Sequence, residues 1–149
     1  MAESLANRFQ DLCREKQLAA THQRLVIYRE LMQMHNHPNP EQVFERVKAE
    51  LPSISLATVY KTLHTFIEAG IVREVSPHHG SLRIEPNVVW HPHFLCLQCM
   101  SITDLTEREL DYSALKDSIP AGYRVEQIST EVRGICGHCM AKSDSAAQA

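Results

Sequence analysis

The chain has 149 residues, of which 44% are hydrophobic and 22% are charged, and its formal net charge is −3. This balance is typical of a folded globular protein and argues against disorder except at the two ends. No apolar run reaches the ~20 residues that span a bilayer, and residues 1–16 lack the regions of a secretory signal. We therefore expect no membrane association and a cytoplasmic location.

Two helices are predicted in the first 35 residues. Apolar residues recur with helical spacing in residues 4–18. Thr21 is a typical N-cap for the segment 22–35, which has an apolar side of its own. The residues expected to face a core are Leu5, Phe9, Leu12 and Cys13 in the first helix, and Leu25, Ile27, Tyr28, Leu31 and Met32 in the second.

Two further helices are predicted from clear start signals. Asn39 followed by Pro40 starts one, because proline at the first helical position lacks only an N–H that would be unbonded anyway. Ser55 is the expected N-cap of the next, and Gly70 is its expected stop. In this last helix Leu56, Val59, Leu63, Phe66 and Ile67 share one face.

The segments 71–75 and 81–85 are short alternating runs joined by "SPHHG", which predicts a hairpin. Short helices followed by a hairpin are the order of a winged helix-turn-helix, in which the helix over 56–69 would enter the major groove of DNA. Amphipathic helices are common, however, and no basic stripe is visible. The pattern alone leaves DNA binding and an ordinary helical domain both open.

Charge changes along the chain near Glu85. Residues 1–84 carry a net charge of +1, whereas residues 85–149 carry −4. With Pro86 beside it, this shift predicts a domain boundary there. The last residues, 141–149, are small and polar and are expected to fray.

Two C-x-x-C pairs in the second half predict a structural zinc site. Each C-x-x-C pair forms a turn, called a knuckle, and two knuckles supply the four thiolates of a tetrahedral zinc site. A small subdomain with a helix over 111–119 and a strand over 124–135 would lie between them. The alternatives are a redox dithiol and cysteines that merely pack in the core. Cys13 stands apart on an apolar helix face and is expected to be a core residue. The zinc ligands would be Cys96, Cys99, Cys136 and Cys139.

Histidines and carboxylates near the first knuckle are left over once the thiolates are assigned to zinc. His91 and His93 would face one ion from a strand, because residues i and i+2 point to the same side. Together with Glu85 and Asp104 they make a thiolate-free set that suits Fe²⁺ or Mn²⁺. His37, in the linker "HNHPNP", is on the residues alone an ordinary solvated loop histidine.

Three segments together resemble a known family. They are "SLATVYKTLHTFIEAGIV", "HPHFLCLQCMSITDL" and "CGHC", and the likeness runs from about Leu18 to Cys139. They resemble the ferric uptake regulator (Fur) family of dimeric, metal-dependent bacterial repressors. The resemblance implies an α+β protein with a winged-helix DNA-binding domain over 1–84, a hinge over 85–90 and an α/β dimerisation domain over 91–149 that holds structural zinc.

The resemblance also implies a regulatory ion, Fe²⁺ or Mn²⁺, one per subunit. Its ligands would be His37, Glu85, His91, His93 and Asp104. Because one histidine would come from the DNA-binding half, metal occupancy would set the affinity for operator DNA, which is expected to be palindromic and A/T-rich. In the peroxide-responsive branch, Fe²⁺ and hydrogen peroxide oxidise a ligand histidine, here His37 or His91, whereas Mn²⁺ resists peroxide.

Some positions favour one branch of the family over another. Asp104 resembles the peroxide-responsive members, and Trp90 and Pro92 stand where iron regulators carry further metal ligands. Glu85 is more like the iron regulators. Lys61 replaces a common arginine and suggests a phosphate contact more than a base contact. By resemblance the DNA-binding candidates are Arg24, Ser55, Thr58, Tyr60 and Lys61.

These observations leave several functions to compare. A peroxide-sensing repressor is the leading hypothesis, followed by an iron-responsive repressor and then a zinc- or manganese-responsive one. A metal hydrolase could also use H-x-H and carboxylates around an open zinc ion, but it would need a general base in a cleft and no DNA affinity. We therefore predict that the protein is not an enzyme.

Overall fold

The computed structural model of the protein describes residues 4–75, 82–105, 115, 117–126, 128 and 130–147. The chain divides into two compact units, Met1–Val88 and Val89–Ala149. The predicted hinge over 85–90 spans the point of division, and its motion stays a prediction.

The first unit contains the four predicted helices, α1 (Leu5–Glu15), α2 (His22–Met32), α3 (Pro40–Val47) and α4 (Leu56–Glu68). Their predicted caps are confirmed. Thr21 and Ser55 each accept a hydrogen bond from the backbone N–H three residues on. Asn39 and Gln42 form a reciprocal capping box, with N···O distances of 2.8 and 2.9 Å.

A two-stranded hairpin follows α4. Gly70, at φ +68°, ends the helix, and the N–H of Ile71 donates to the carbonyl of Phe66 at 2.9 Å, as in a Schellman motif. Strands β1 (Arg73–Val75) and β2 (Arg83–Glu85) then pair antiparallel. The predicted "SPHHG" connection lies outside the described residues. The order of helices and hairpin confirms the predicted α+β fold with a winged helix-turn-helix.

The core of the first unit is built around three aromatic rings. Phe9, Tyr28 and Phe66 lie with ring centroids 5.0 to 6.4 Å apart. Cys13 is buried beside them, as predicted for a packing residue. On α4 the predicted apolar face is buried at Val59, Leu63 and Phe66, while Thr62 is also buried and Leu56 and Ile67 are half-buried.

The second unit has a three-stranded sheet in the order β4-β3-β5. Strand β3 (His93–Cys96) runs antiparallel to β4 (Ile102–Asp104) and parallel to β5 (Glu131–Gly134). Strand β5 lies within the predicted 124–135, whereas the helix predicted over 111–119 falls largely outside the described residues.

The prediction of a frayed tail from residue 141 is wrong. Helix α5 (Gly137–Ala147) starts inside the second C-x-x-C pair and continues to Ala147. Alanine, lysine and methionine favour a helix once a fixed first turn has started it. Among the described residues, no helix is both long enough and apolar enough to cross a membrane.

Candidate metal centres

The four C-x-x-C cysteines converge within the second unit. Cys96 ends β3 and Cys99 lies in the turn that follows, where Met100 at φ +58° reverses the chain toward β4. Cys136 precedes α5, and Cys139 lies in its first turn. A strand end, a tight turn and a helix start therefore hold the four sulfur atoms.

The spacing of the sulfur atoms fits one tetrahedral zinc ion. Cys96 Sγ lies 3.9 Å from Cys139 Sγ, and Cys99 Sγ lies 3.8 Å from Cys136 Sγ. All four lie within 4.8 Å of one another. Zn–S bonds of ~2.3 Å in a tetrahedron place the sulfurs ~3.8 Å apart. This set therefore has the geometry of a Cys₄ structural zinc site.

The redox alternative does not account for this arrangement. All five cysteines lie in the described part of the chain, and none of them forms a disulfide. A disulfide would join two sulfurs at ~2.05 Å, whereas each sulfur here has neighbours from the other C-x-x-C pair at nearly twice that distance. A metal ion bound by four cysteines requires that all four sulfur atoms lie close together, as they do here.

Hydrogen bonds lower the pKa of two of the four cysteine thiols. The backbone N–H groups of Cys99 and Cys136 lower the pKa of Cys96 to about 6. The hydroxyl of Ser101, 3.1 Å away, and its backbone N–H lower the pKa of Cys99. Burial raises the pKa of Cys139 to about 12. The Cys96 thiolate is thus favoured before an ion binds, and the Cys139 proton must be released on binding.

In the first unit, His37 and Glu85 form a buried pair. His37 Nε2 lies 2.7 Å from Glu85 Oε2, and the two side chains are 3% and 5% exposed. The expectation of a solvated loop histidine, drawn from the residues alone, is therefore wrong. The partner is separated by 48 residues of sequence, so no local pattern could have identified it.

The loop that carries His37 is fixed to the hairpin. The N–H of Ile84 donates to the carbonyl of Pro38 at 2.9 Å, and Arg83 donates from Nη1 to the carbonyl of His37 at 3.3 Å. His37 itself has φ +47°, a left-handed conformation that histidine adopts more often than most residues. Such strained positions often occur at functional sites.

In the second unit, His91 and His93 both face Asp104. Their Nε2 atoms lie 3.2 and 3.5 Å from Asp104 Oδ1, and their ring centroids are 4.5 Å apart. The predicted shared strand is only partly correct, because β3 begins at His93 and His91 precedes it. The rings converge all the same, since His93 and Asp104 are directly paired across β3 and β4.

One tautomer of His91 follows from its hydrogen bond. Its Nδ1 lies 2.9 Å from the carbonyl oxygen of Val89, which can only accept, so Nδ1 carries the proton. In the neutral ring the lone pair is then on Nε2, the atom that faces Asp104. Fixing a histidine through its second nitrogen is the usual arrangement at metal sites.

The donor atoms of these two groups differ from those of the cysteine cluster. The pair in the first unit and the three residues in the second offer imidazole nitrogens and carboxylate oxygens. Such donors suit Fe²⁺ and Mn²⁺, whereas thiolates select zinc.

The predicted DNA-binding residues lie on α2 and at the start of α4. Ser55 and Thr58 form the N-terminal cap of α4, with their oxygens 2.8 Å apart. The hydroxyl of Tyr60 donates to Glu41 Oε1 at 2.7 Å, and Lys61 is exposed. Arg24 donates from Nη1 to the carbonyl of Ala19 at 2.9 Å.

A winged-helix unit joined in one chain to metal-type donor clusters defines a metal-responsive transcription regulator. The model of the ferric uptake regulator family matches residues 15–133, and the chain belongs to that family. Members of this family are transcription regulators, and the repressors among them bind DNA as dimers.

Individual relatives agree with this assignment. The peroxide-responsive repressor PerR of Staphylococcus aureus strain Mu50 is 30% identical over 129 residues, which is 87% of each chain. The Campylobacter jejuni peroxide stress regulator is 29% identical, with a TM-score of 0.64 over 92% of this chain and 100% of that one. The Helicobacter pylori ferric uptake regulator Fur, at 18% identity and a TM-score of 0.77 over 93% and 95%, supports the fold.

Proposed function

We propose that this protein is a homodimeric, cytoplasmic repressor that senses hydrogen peroxide by oxidation of a metal-binding histidine. The observation that carries the proposal is the presence of nitrogen and oxygen donors, without thiolates, beside a separate Cys₄ cluster. One cluster suits a permanent zinc ion, and the other donors suit an ion that binds reversibly and reacts. The similarity to PerR and to a peroxide stress regulator supports the subtype.

We infer two metal sites per subunit. Cys96, Cys99, Cys136 and Cys139 hold zinc, while the regulatory Fe²⁺ or Mn²⁺ is held by His37, Glu85, His91, His93 and Asp104. These residues would offer the ion three imidazole nitrogens and two carboxylate oxygens, and the ion would supply the reactivity toward peroxide. Because these ligands come from both units, binding of the ion fixes the orientation of α4 for operator DNA, which we expect to be palindromic and A/T-rich.

Sensing consumes the repressor and is not catalysis. A bound Fe²⁺ would activate the O–O bond of hydrogen peroxide for cleavage. Peroxide is the oxidant: the imidazole of His37 or His91 would give up two electrons and gain one oxygen atom, and the second oxygen would leave as water. The oxidised ring is a poor ligand, so its unit loses the ion and repression ends.

We expect a mass increase of about 16 Da on a peptide that contains His37 or His91 after Fe²⁺ loading and peroxide treatment. Met32 and Met34 share a tryptic peptide with His37 and can gain the same mass. Fragment spectra must therefore assign the oxygen to the imidazole. Protein loaded with Mn²⁺ is the matched control and should show methionine oxidation only. Unmodified histidines in Fe²⁺-loaded protein would count against peroxide sensing.

An iron-responsive repressor is the second candidate, favoured by glutamate at position 85. It requires operator binding that depends on Fe²⁺ with no oxidised histidine. The same peroxide experiment separates the two functions, because only a peroxide sensor loses operator binding in step with the histidine modification.

Tyr60 provides a test of the DNA-binding surface. Replacing Tyr60 with phenylalanine keeps the ring and removes the hydroxyl, so we expect operator binding to weaken by ~1 kcal/mol, about fivefold, with an unchanged dimer. Fluorescence anisotropy of labelled operator DNA measures this. Glu41→Gln is the control, since it removes the charged acceptor of the Tyr60 hydroxyl and should not weaken binding. Equal affinity of Tyr60→Phe and the wild type would assign the phenol to a structural role.

A further inference from the structure

A row of three residues crosses the sheet of the second unit in register. His93 on β3 is directly paired with Asp104 on β4 and with Glu131 on β5. Directly paired residues on neighbouring strands point to the same face of a sheet. The imidazole of His93 therefore has a carboxylate-bearing residue on each side, and only Asp104 belongs to the ligand set proposed above.

Glu131 is held in place on its own strand. Its Oε1 lies 2.5 Å from Nε of Arg133, two residues on and thus on the same face, and its side chain is only 22% exposed. A solvated surface glutamate would be more mobile and more exposed. The Arg133 contact fixes the carboxylate beside β3.

We propose that Glu131 is a positioning residue of the regulatory site, which orients His93 and adds negative charge without binding the ion directly. The proposal rests on the proposed function. His93 Nε2 faces Asp104 at 3.5 Å, and Glu131 is the register partner of His93 on the opposite strand, so the inferred hydrogen bond joins the second ring nitrogen to the Glu131 carboxylate. Ligand histidines usually donate their second N–H to a carboxylate or carbonyl, which fixes the ring and strengthens the metal bond.

Arg133 explains why this carboxylate would stay outside the ion's first shell. Its guanidinium neutralises Glu131 in part and holds it along β5. The site would gain the field of a nearby anion without a further protein ligand.

The test is the affinity of the zinc-loaded, full-length protein for Mn²⁺, measured from the EPR signal of free Mn²⁺. Glu131→Gln is expected to weaken Mn²⁺ binding by ~10–100-fold, the usual effect of removing an outer-shell partner. Its matched control is Glu126→Gln. Glu126 also pairs with an arginine two residues away, Arg124, but both side chains are well exposed, and the charge change is the same.

A second measurement separates positioning from a general effect on folding. The ¹⁵N shifts of the His93 ring in metal-free protein report which nitrogen carries the proton, and Glu131→Gln should change that balance while Glu126→Gln should not. Arg133→Met keeps the carboxylate but releases it from β5, so it should also change the balance of protons on the His93 ring, and it serves if Glu131→Gln does not fold.

Two outcomes overturn the inference, and a third concerns the proposed function instead. An Mn²⁺ affinity of Glu131→Gln equal to that of Glu126→Gln, or a His93 ring unchanged in both Glu131→Gln and Arg133→Met, would show that Glu131 has no role at the site. Wild-type protein that binds operator DNA equally well with and without Mn²⁺ would instead remove the proposed function, whatever the variants do.

Discussion

Replacing Cys96 with serine is expected to remove the zinc and to unfold the second unit. Among the described residues of that unit, the buried apolar side chains are few: Pro92, Leu95, Cys96 and Cys139. Structural zinc contributes ~10–16 kcal/mol in zinc-finger peptides, as much as the whole ~5–15 kcal/mol stability of a typical domain. The small sheet and α5 therefore depend on the ion that joins them. Zinc content by mass spectrometry and unfolding followed by circular dichroism measure the two effects.

The fifth cysteine provides the control for this experiment. Cys13 is buried in the first unit among aromatic and aliphatic side chains, far in sequence from both knuckles. Cys13→Ala should keep one zinc per chain and cost only ~1 kcal/mol of stability for the small cavity left behind. A full zinc content and an unchanged melting temperature in Cys96→Ser would show that the sulfur cluster is not the zinc site.

The fold of the first unit could be predicted because its signals are local. Thr21, Asn39 and Ser55 each cap a helix through hydrogen bonds three residues away, and Gly70 supplies the left-handed residue that ends α4. Such signals are contained in a few consecutive residues and need no tertiary contact. Helix α5 was missed for the opposite reason. Its polar sequence is ordinary for a tail, and its start depends on the turn through Cys136 and Cys139.

The candidate metal ligands also divide into those that the local sequence identifies and those that depend on residues far away in the chain. Cys96 and Cys99 were identifiable from two-residue spacing, which constrains their sulfur atoms directly. The burial of His37 could not be read from its neighbours, because Glu85 and the carbonyl contact from Arg83 come from a hairpin almost fifty residues later. In that case the resemblance to a family supplied what periodicity and spacing could not.

His37→Asn is expected to abolish metal-dependent operator binding while leaving the first unit folded. Asparagine tolerates the left-handed backbone at φ +47° and keeps a polar side chain in the loop, while Glu85 retains the hydrogen bond that its Oε1 accepts from the backbone N–H of Asn87. The variant therefore removes one proposed metal ligand with little other change. We expect Mn²⁺ affinity to fall by more than the ~100-fold that outer-shell changes cause.

The measurement for His37→Asn is operator binding by anisotropy as Mn²⁺ is added, with circular dichroism to verify the fold. His35→Asn is the matched control, since His35 lies two residues earlier in the same loop but is exposed. If His37→Asn responds to Mn²⁺ as His35→Asn does, His37 is not a ligand and its buried pair with Glu85 is purely structural. If only His37→Asn loses the response, the loop that is fixed to β2 carries a ligand for the ion and so connects metal occupancy to the DNA-binding unit.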